Sequence, residues 1–162
     1  MDEGYAAGEQ PEVHAERLAR ANAEAAAAGS RESLVIAADT IVVIDGKVLG
    51  KPRDTEDATR MLRMLSGRRH VVMTAVAVAF EERMASAVEQ VSVTFRELGD
   101  DEIEAYVATG EPMDKAGAYG IQGYGATIVK RIEGDYFAVM GLSLVRLVVL
   151  MAELGVSYDF AR

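Results

Sequence analysis

The spacing of hydrophobic and polar residues predicts helices and strands that alternate along the chain. Residues 11–28 are rich in helix formers and predict the first helix. Residues 33–38 then form an apolar run of strand length, and residues 41–50 form two β-rich arms. The arms are joined by Asp45-Gly46, a pair typical of tight hairpin turns. The first third of the chain therefore predicts a helix, a strand and a hairpin.

The rest of the chain continues the alternation. Apolar residues recur at helical spacing after Asp54 or Thr55, either of which can cap the helix. Two β-rich runs separated by a polar turn predict an antiparallel hairpin. The predicted elements are a helix over 56–65, strands over 70–80 and 86–96, a helix from Asp100 or Asp101 to near Gly110, a glycine-rich loop over 110–125, a strand over 126–132 and a helix over 142–153. This order predicts an α/β fold.

The composition narrows the functions that the chain can have. Its 162 residues suit one domain. It has no cysteine, which excludes disulfides, cysteine-ligated zinc and thiol catalysis. A formal net charge of −9 makes it a poor candidate for binding a nucleic acid polymer, because lysines and arginines supply most of that affinity. A small anionic ligand would need a local group of cations or a metal ion.

The sequence contains no signal for a membrane or for export. No apolar run reaches the roughly 20 residues of a membrane span. The first ten residues, MDEGYAAGEQ, have neither a basic region nor an apolar stretch, so they do not resemble a signal peptide. We therefore expect a soluble, cytoplasmic protein.

Three segments place polar residues in settings that suit ligand binding. Asp39 and Thr40 follow an apolar run, and crevices form where strands end; a carboxylate there can hold a metal ion or accept a proton from water. Lys51 lies between a glycine and a proline, and this restricted backbone suits a phosphate contact. The third segment is glycine-rich, which allows close approach of a ligand. In it, Gln122 can donate to and accept from a nucleobase, and Lys115 can pair with a phosphate.

Each of these residues also has a structural interpretation, which spacing alone favours. Asp39 and Thr40 can cap a turn. Lys51 can be an ordinary surface lysine, and Lys115 can bridge to its neighbour Asp114. The two interpretations make different structural predictions. Only the ligand site requires the three segments to meet in a single cleft.

The order of these motifs resembles that of the Maf family of nucleoside triphosphate pyrophosphatases. The matching motifs include ADT at 38–40, GKP at 50–52 and DKAGAYGIQG at 114–123, and the resemblance covers nearly the whole chain. The form of the last motif is similar to the subgroup that hydrolyses dTTP and UTP. The resemblance implies a Maf/inosine-triphosphatase-like α/β fold. In that fold, helices flank a mixed twisted sheet and a cleft lies between two lobes.

The resemblance also implies an activity and its residues. The implied reaction converts dTTP, UTP and related modified pyrimidine nucleotides to the monophosphate and pyrophosphate, which cleanses the nucleotide pool. Asp39 matches the catalytic acid/base of the family, and Lys51 matches its phosphate-contacting lysine. Thr40 and Gln122 match positions tied to base selectivity. A divalent cation, Mg²⁺ or Mn²⁺, assists, with Glu3 and Asp39 as candidate ligands, and a homodimer is implied as possible.

Two departures from the family pattern support an alternative. Family members begin with an apolar strand that leads into an SxSPRR loop, which this sequence lacks. We therefore expect a single Maf-like domain over 1–162 that is truncated at its amino terminus relative to the family. Asn22 also replaces a family lysine. The alternative is a catalytically impaired Maf-like protein that binds nucleotides or has a regulatory role.

Overall fold

The computed structural model describes residues 8–29 and 32–160, and within them the predicted alternation of helices and strands is present. The helices are α1 (Pro11–Ala27), α2 (Thr55–Leu65), α3 (Asp100–Ala108), α4 (Tyr136–Val139) and α5 (Leu144–Glu153). The strands are β1 (Val35–Ile44), β2 (Lys47–Leu49), β3 (Arg69–Phe80), β4 (Arg83–Phe95) and β5 (Val129–Glu133). Three short 3₁₀ turns lie between α3 and β5. None of the helices in this part of the chain is long and apolar enough to cross a membrane.

The strands form one sheet in the order β2-β1-β3-β4-β5. Two tight turns produce its hairpins, with φ angles of 51° at Asp45 and 71° at Gly46 before β2, and 56° at Glu81 before β4. β2 and β3 both run antiparallel to β1. The segment that contains α2 therefore carries the chain back along the sheet before β3 begins. The α/β class and the flanking helices are as predicted. The sheet differs in one respect, since each pair among the described strands is antiparallel and the sheet is therefore not mixed.

Asp39 and Thr40 lie inside β1, so the prediction that a strand over 33–38 ends before them is wrong. β1 is one strand of ten residues, in which Thr40 lies opposite Thr74 of β3. Strand pairing uses main-chain groups, so two polar residues do not end a strand whose neighbour continues. On the other side, β2 pairs only with Val42–Ile44. β2 therefore does not extend along β1 as far as Asp39 and Thr40.

Helices pack against both faces of the sheet. On one face α1 packs through Ala15, Ala19 and Ala23, and these alanines contact residues of β1 and β3 that include Ile41 and Met73. Their small side chains allow the helix backbone to approach the strands closely. The opposite face is covered by larger side chains of α2, α3 and α5, among them Leu62, Ile103 and Leu150.

Candidate active site

A cavity of about 310 Å³ opens beside the middle of β1. Its walls come from β1 and β3, from the loop after β2, from the glycine-rich segment and from α4 with the residues that follow it. The lining combines the apolar side chains of Val42, Val72 and Val139 with the charged side chains of Asp39 and Lys51. Small-molecule sites typically combine apolar walls with a few polar groups. The cavity therefore has the composition of a small-molecule site.

The fold brings together four of the residues singled out in the sequence. Asp39, Thr40, Lys51 and Gln122 all line this one cavity, although Gln122 follows Lys51 by 71 positions in the chain. A set of unrelated surface residues would be scattered over the molecule, so their meeting favours a ligand site over the structural interpretation. Glu3, the other candidate metal ligand, lies outside the described residues.

Asp39 and Thr40 approach the cavity from different sides of β1. Neighbouring residues on a strand point to opposite faces of the sheet. Both nevertheless line the cavity, which lies beside a part of β1 that does not pair with β2. Both residues are partly buried. Neighbouring positions of one strand thus present a carboxylate and a hydroxyl to the same cavity.

A buried hydroxyl that the sequence analysis did not single out supports Thr40. Thr74 is completely buried, and its Oγ1 atom lies 2.8 Å from Oγ1 of Thr40. The Thr74 hydroxyl also donates to the main-chain carbonyl of Ala138, at 2.7 Å. The signal that could have found Thr74 is its position as the one hydroxyl residue in the apolar strand HVVMTAVAVAF.

The two lysines of the cavity differ in their surroundings. Lys51 lies in a loop that is tied to the glycine-rich segment, because the Gly117 N–H donates to the Gly50 carbonyl at 3.0 Å. Lys115 donates to Asp114 at 2.6 Å, which is the structural interpretation predicted for it. Lys51 is exposed and forms no hydrogen bond or salt bridge with another residue of the described ranges. Its ammonium group is therefore the better placed of the two for an anionic ligand.

The loop that carries Gln122 is held by a carboxylate that the sequence analysis missed. Glu111 accepts hydrogen bonds from the main-chain N–H groups of Tyr124 and Gly125, both at 2.9 Å, and from the Tyr106 hydroxyl at 2.8 Å. Burial alone would raise the pKa of Glu111, but these hydrogen bonds outweigh burial and lower it. Glu111 therefore stays charged and fixes the loop. No sequence signal marks it, because a glutamate between a glycine and a proline resembles any loop residue.

The charges of the cavity fit an anion that arrives with a metal ion. Two lysines and two aspartates line it, so its formal charge is balanced and a triphosphate would need further positive charge. Among the described residues, no group of three histidine, aspartate or glutamate side chains could hold a metal. Mg²⁺ is, however, commonly held by one or two carboxylates together with substrate phosphates. Asp39 together with a phosphate group of a ligand would therefore suit a divalent cation.

A buried histidine supports the cavity wall at Tyr119. The Nε2 atom of His70 lies 2.8 Å from the Tyr119 hydroxyl, and both rings pack edge to face against each other and against Phe95. Burial lowers the pKa of His70 from 6.5 to about 4. The histidine is therefore neutral at pH 7.

His70 predicts that the protein loses stability in mild acid. A group whose folded pKa is depressed stabilises the fold above its unfolded pKa of 6.5, and this contribution is lost as the pH falls toward 4. Between pH 7.5 and pH 5 we expect the free energy of unfolding to fall by about 2 kcal/mol from this group. Urea unfolding at both values measures the loss. His70→Gln can still form a hydrogen bond but does not titrate, so it should lack this part of the loss; an equal loss in both proteins would contradict the assignment.

The fold and the cavity define an α/β protein with a cavity of the composition typical of a small-molecule site, and comparison with protein families gives this class a name. The family described as Maf-like protein matches residues 1–154. This match covers most of the 162 residues. The chain belongs to the Maf family.

Relatives in several bacteria are similar to most of this chain. A protein of Moorella thermoacetica is 56% identical over 148 residues, which are 90% of this chain and 76% of the relative. A protein of Syntrophomonas wolfei is 50% identical over 157 residues, 96% of this chain and 83% of the relative. A protein of Yersinia pestis is 55% identical over 139 residues, 85% of this chain and 71% of the relative. Each of the three is named dTTP/UTP pyrophosphatase.

Proposed function

We propose that this protein hydrolyses dTTP and UTP to the nucleoside monophosphate and pyrophosphate. The observation that carries the proposal is the meeting of Asp39, Thr40, Lys51 and Gln122 in one cavity. These residues are a carboxylate, a hydroxyl, a cation and an amide, which are the groups that a nucleoside triphosphate requires. The names of the similar bacterial proteins support the same reaction.

The proposed reaction adds water across the bond between the α-phosphorus and the oxygen that bridges to the β-phosphate. The water oxygen bonds to phosphorus, the bridging bond breaks, and pyrophosphate leaves. Asp39 accepts a proton from the attacking water. Lys51 neutralises negative charge on the phosphates, which is a main requirement of phosphoryl chemistry. Thr40 and Gln122 contact the base through hydrogen bonds.

A divalent cation belongs to this proposal as a cofactor. Asp39 and the phosphate oxygens would hold Mg²⁺ or Mn²⁺, which when bound supplies positive charge to the triphosphate. The need for such an ion follows from the charges, because the two lysines of the cavity are offset by two aspartates and the whole chain carries −9.

The test is pyrophosphate release from dTTP, UTP, CTP, GTP and ATP, with Mg²⁺ or Mn²⁺ and with a chelator. We expect release from dTTP and UTP that exceeds release from the other nucleotides and that stops when the chelator is added. Equal release from all five nucleotides would contradict the proposed selectivity.

The same assay, together with a binding measurement, separates the proposal from the alternative of an impaired nucleotide-binding or regulatory protein, which Asn22 motivates. That alternative predicts saturable binding of UTP by calorimetry without release of pyrophosphate. Binding and release together would support the enzyme, and the absence of both would contradict both hypotheses.

A further inference from the structure

Three polar groups form a hydrogen-bonded chain from the protein interior to the cavity. The Thr74 hydroxyl lies between the main-chain carbonyl of Ala138, at 2.7 Å, and the hydroxyl of Thr40, at 2.8 Å. A carbonyl oxygen can only accept, and a hydroxyl has one hydrogen to donate. Thr74 therefore donates its hydroxyl hydrogen to the Ala138 carbonyl, and it can only accept a hydrogen bond from Thr40.

This arrangement fixes what Thr40 offers to a ligand. Its hydroxyl hydrogen is directed at Thr74, so its oxygen presents only lone pairs to the cavity that it lines. Thr74 is completely buried, so no water molecule can replace either of its partners. Thr40 is consequently an acceptor of fixed polarity, although a threonine hydroxyl in general can also donate.

We infer that Thr74 is a positioning residue that fixes Thr40 as an acceptor and so makes the cavity select uracil and thymine over cytosine; this inference rests on the proposed function. Uracil and thymine carry an N–H donor at ring position 3, whereas cytosine carries an unprotonated nitrogen there. If cytosine binds with this nitrogen opposite the Thr40 oxygen, two acceptors face each other and both remain without a hydrogen bond. Sites that depend on such hydrogen bonds reject the wrong ligand strongly.

Gln122 cannot make this distinction by itself. Its side chain has both a donor and an acceptor, and rotation of the amide by half a turn exchanges them. Gln122 is also exposed, so its surroundings do not fix one orientation. Rejection of cytosine therefore requires a group of fixed polarity, and the Thr40–Thr74 pair supplies one.

The experiment compares Thr74→Val and Thr74→Ser with the unaltered protein. Valine has nearly the shape of threonine but no acceptor, so the Thr40 hydroxyl becomes able to turn and donate to cytosine. We expect the ratio of kcat/KM for UTP to kcat/KM for CTP to fall by about 10-fold or more in Thr74→Val. Serine keeps the hydroxyl, so Thr74→Ser should stay within about 2-fold of the unaltered ratio. Circular dichroism and thermal unfolding check that both variants are folded.

The outcomes distinguish this inference from the proposed function. An unchanged ratio in folded Thr74→Val, or an equal loss of activity on UTP and CTP, would overturn the role of Thr74. The same ratio is also measured as binding affinity by calorimetry, which does not depend on turnover. A protein that prefers UTP in binding and loses that preference in Thr74→Val, yet releases no pyrophosphate, would support the inference and contradict the proposed enzyme. Equal binding of UTP and CTP by the unaltered protein would overturn the inference.

Discussion

Replacing Asp39 by asparagine is expected to reduce pyrophosphate release from dTTP and UTP by at least about 100-fold. Asparagine has nearly the same size as aspartate, but its amide neither accepts a proton from water nor attracts a cation as a carboxylate does. The pairing of β1 with β3 uses main-chain groups, so the strand that carries the residue should remain in place. The measurement is kcat at saturating nucleotide and Mg²⁺, together with the midpoint of thermal unfolding.

A matched control for this substitution is Asp101→Asn. Asp101 lies on α3, is exposed and does not line the cavity, so its neutralisation changes the net charge by the same amount without touching the site. We expect this variant to keep the rate of the unaltered protein. Full turnover by a folded Asp39→Asn would show that another group accepts the proton, and the proposed chemistry would then have to be assigned to other residues.

Much of the fold could be predicted because its signals are local. Asp45-Gly46 forms the turn between β1 and β2, and the Asp54 side chain caps α2 by accepting from the Asp57 N–H at 2.7 Å. The prediction that a strand ends before Asp39 was wrong because the continuity of this strand is not a local property. The continuity of β1 depends on its pairing with β3, which is more than twenty residues away in the chain, and local polarity carries no information about that pairing.

The residues of the site also fall into those with a local sequence signal and those without one. Asp39, Lys51 and Gln122 could be singled out because each lies in a motif of distinctive residues, and all three line the cavity. Glu111 could not, because no sequence signal marks it. Thr74 stands out only as the one hydroxyl residue of its apolar strand, and its role depends on partners that only the folded chain supplies. Thr74 forms hydrogen bonds with Thr40 on β1 and with Ala138 in α4. Glu111 accepts a hydrogen bond from a main-chain N–H group of the loop that follows it. The roles of such supporting residues become clear only when their hydrogen bonds are known.

Gly125→Ala is expected to disrupt the loop that carries Gln122. A Cβ atom at position 125 would overlap the carbonyl oxygen of Gly120 and would lie 2.7 Å from the Tyr106 hydroxyl oxygen. A main-chain oxygen cannot turn aside as a side chain can, so the loop must shift and lose its hydrogen bonds to Glu111. We expect the free energy of unfolding to fall by about 3 kcal/mol. For a chain of this size, that lowers the thermal midpoint by roughly 6–12 °C. Release of pyrophosphate from UTP should fall with it, even below that midpoint.

Gly99→Ala is the control that separates this effect from the general cost of replacing a glycine. Gly99 precedes α3 with a φ angle of −76°, which alanine adopts readily, and a Cβ atom there would meet no atom within 4 Å. Its midpoint and activity should therefore stay close to those of the unaltered protein. If Gly125→Ala kept both as well, the loop would be able to move without loss, and Glu111 would not be what holds Gln122 at the cavity. If Gly125→Ala lost stability but kept its rate on UTP, Gln122 would not contribute to the use of that substrate.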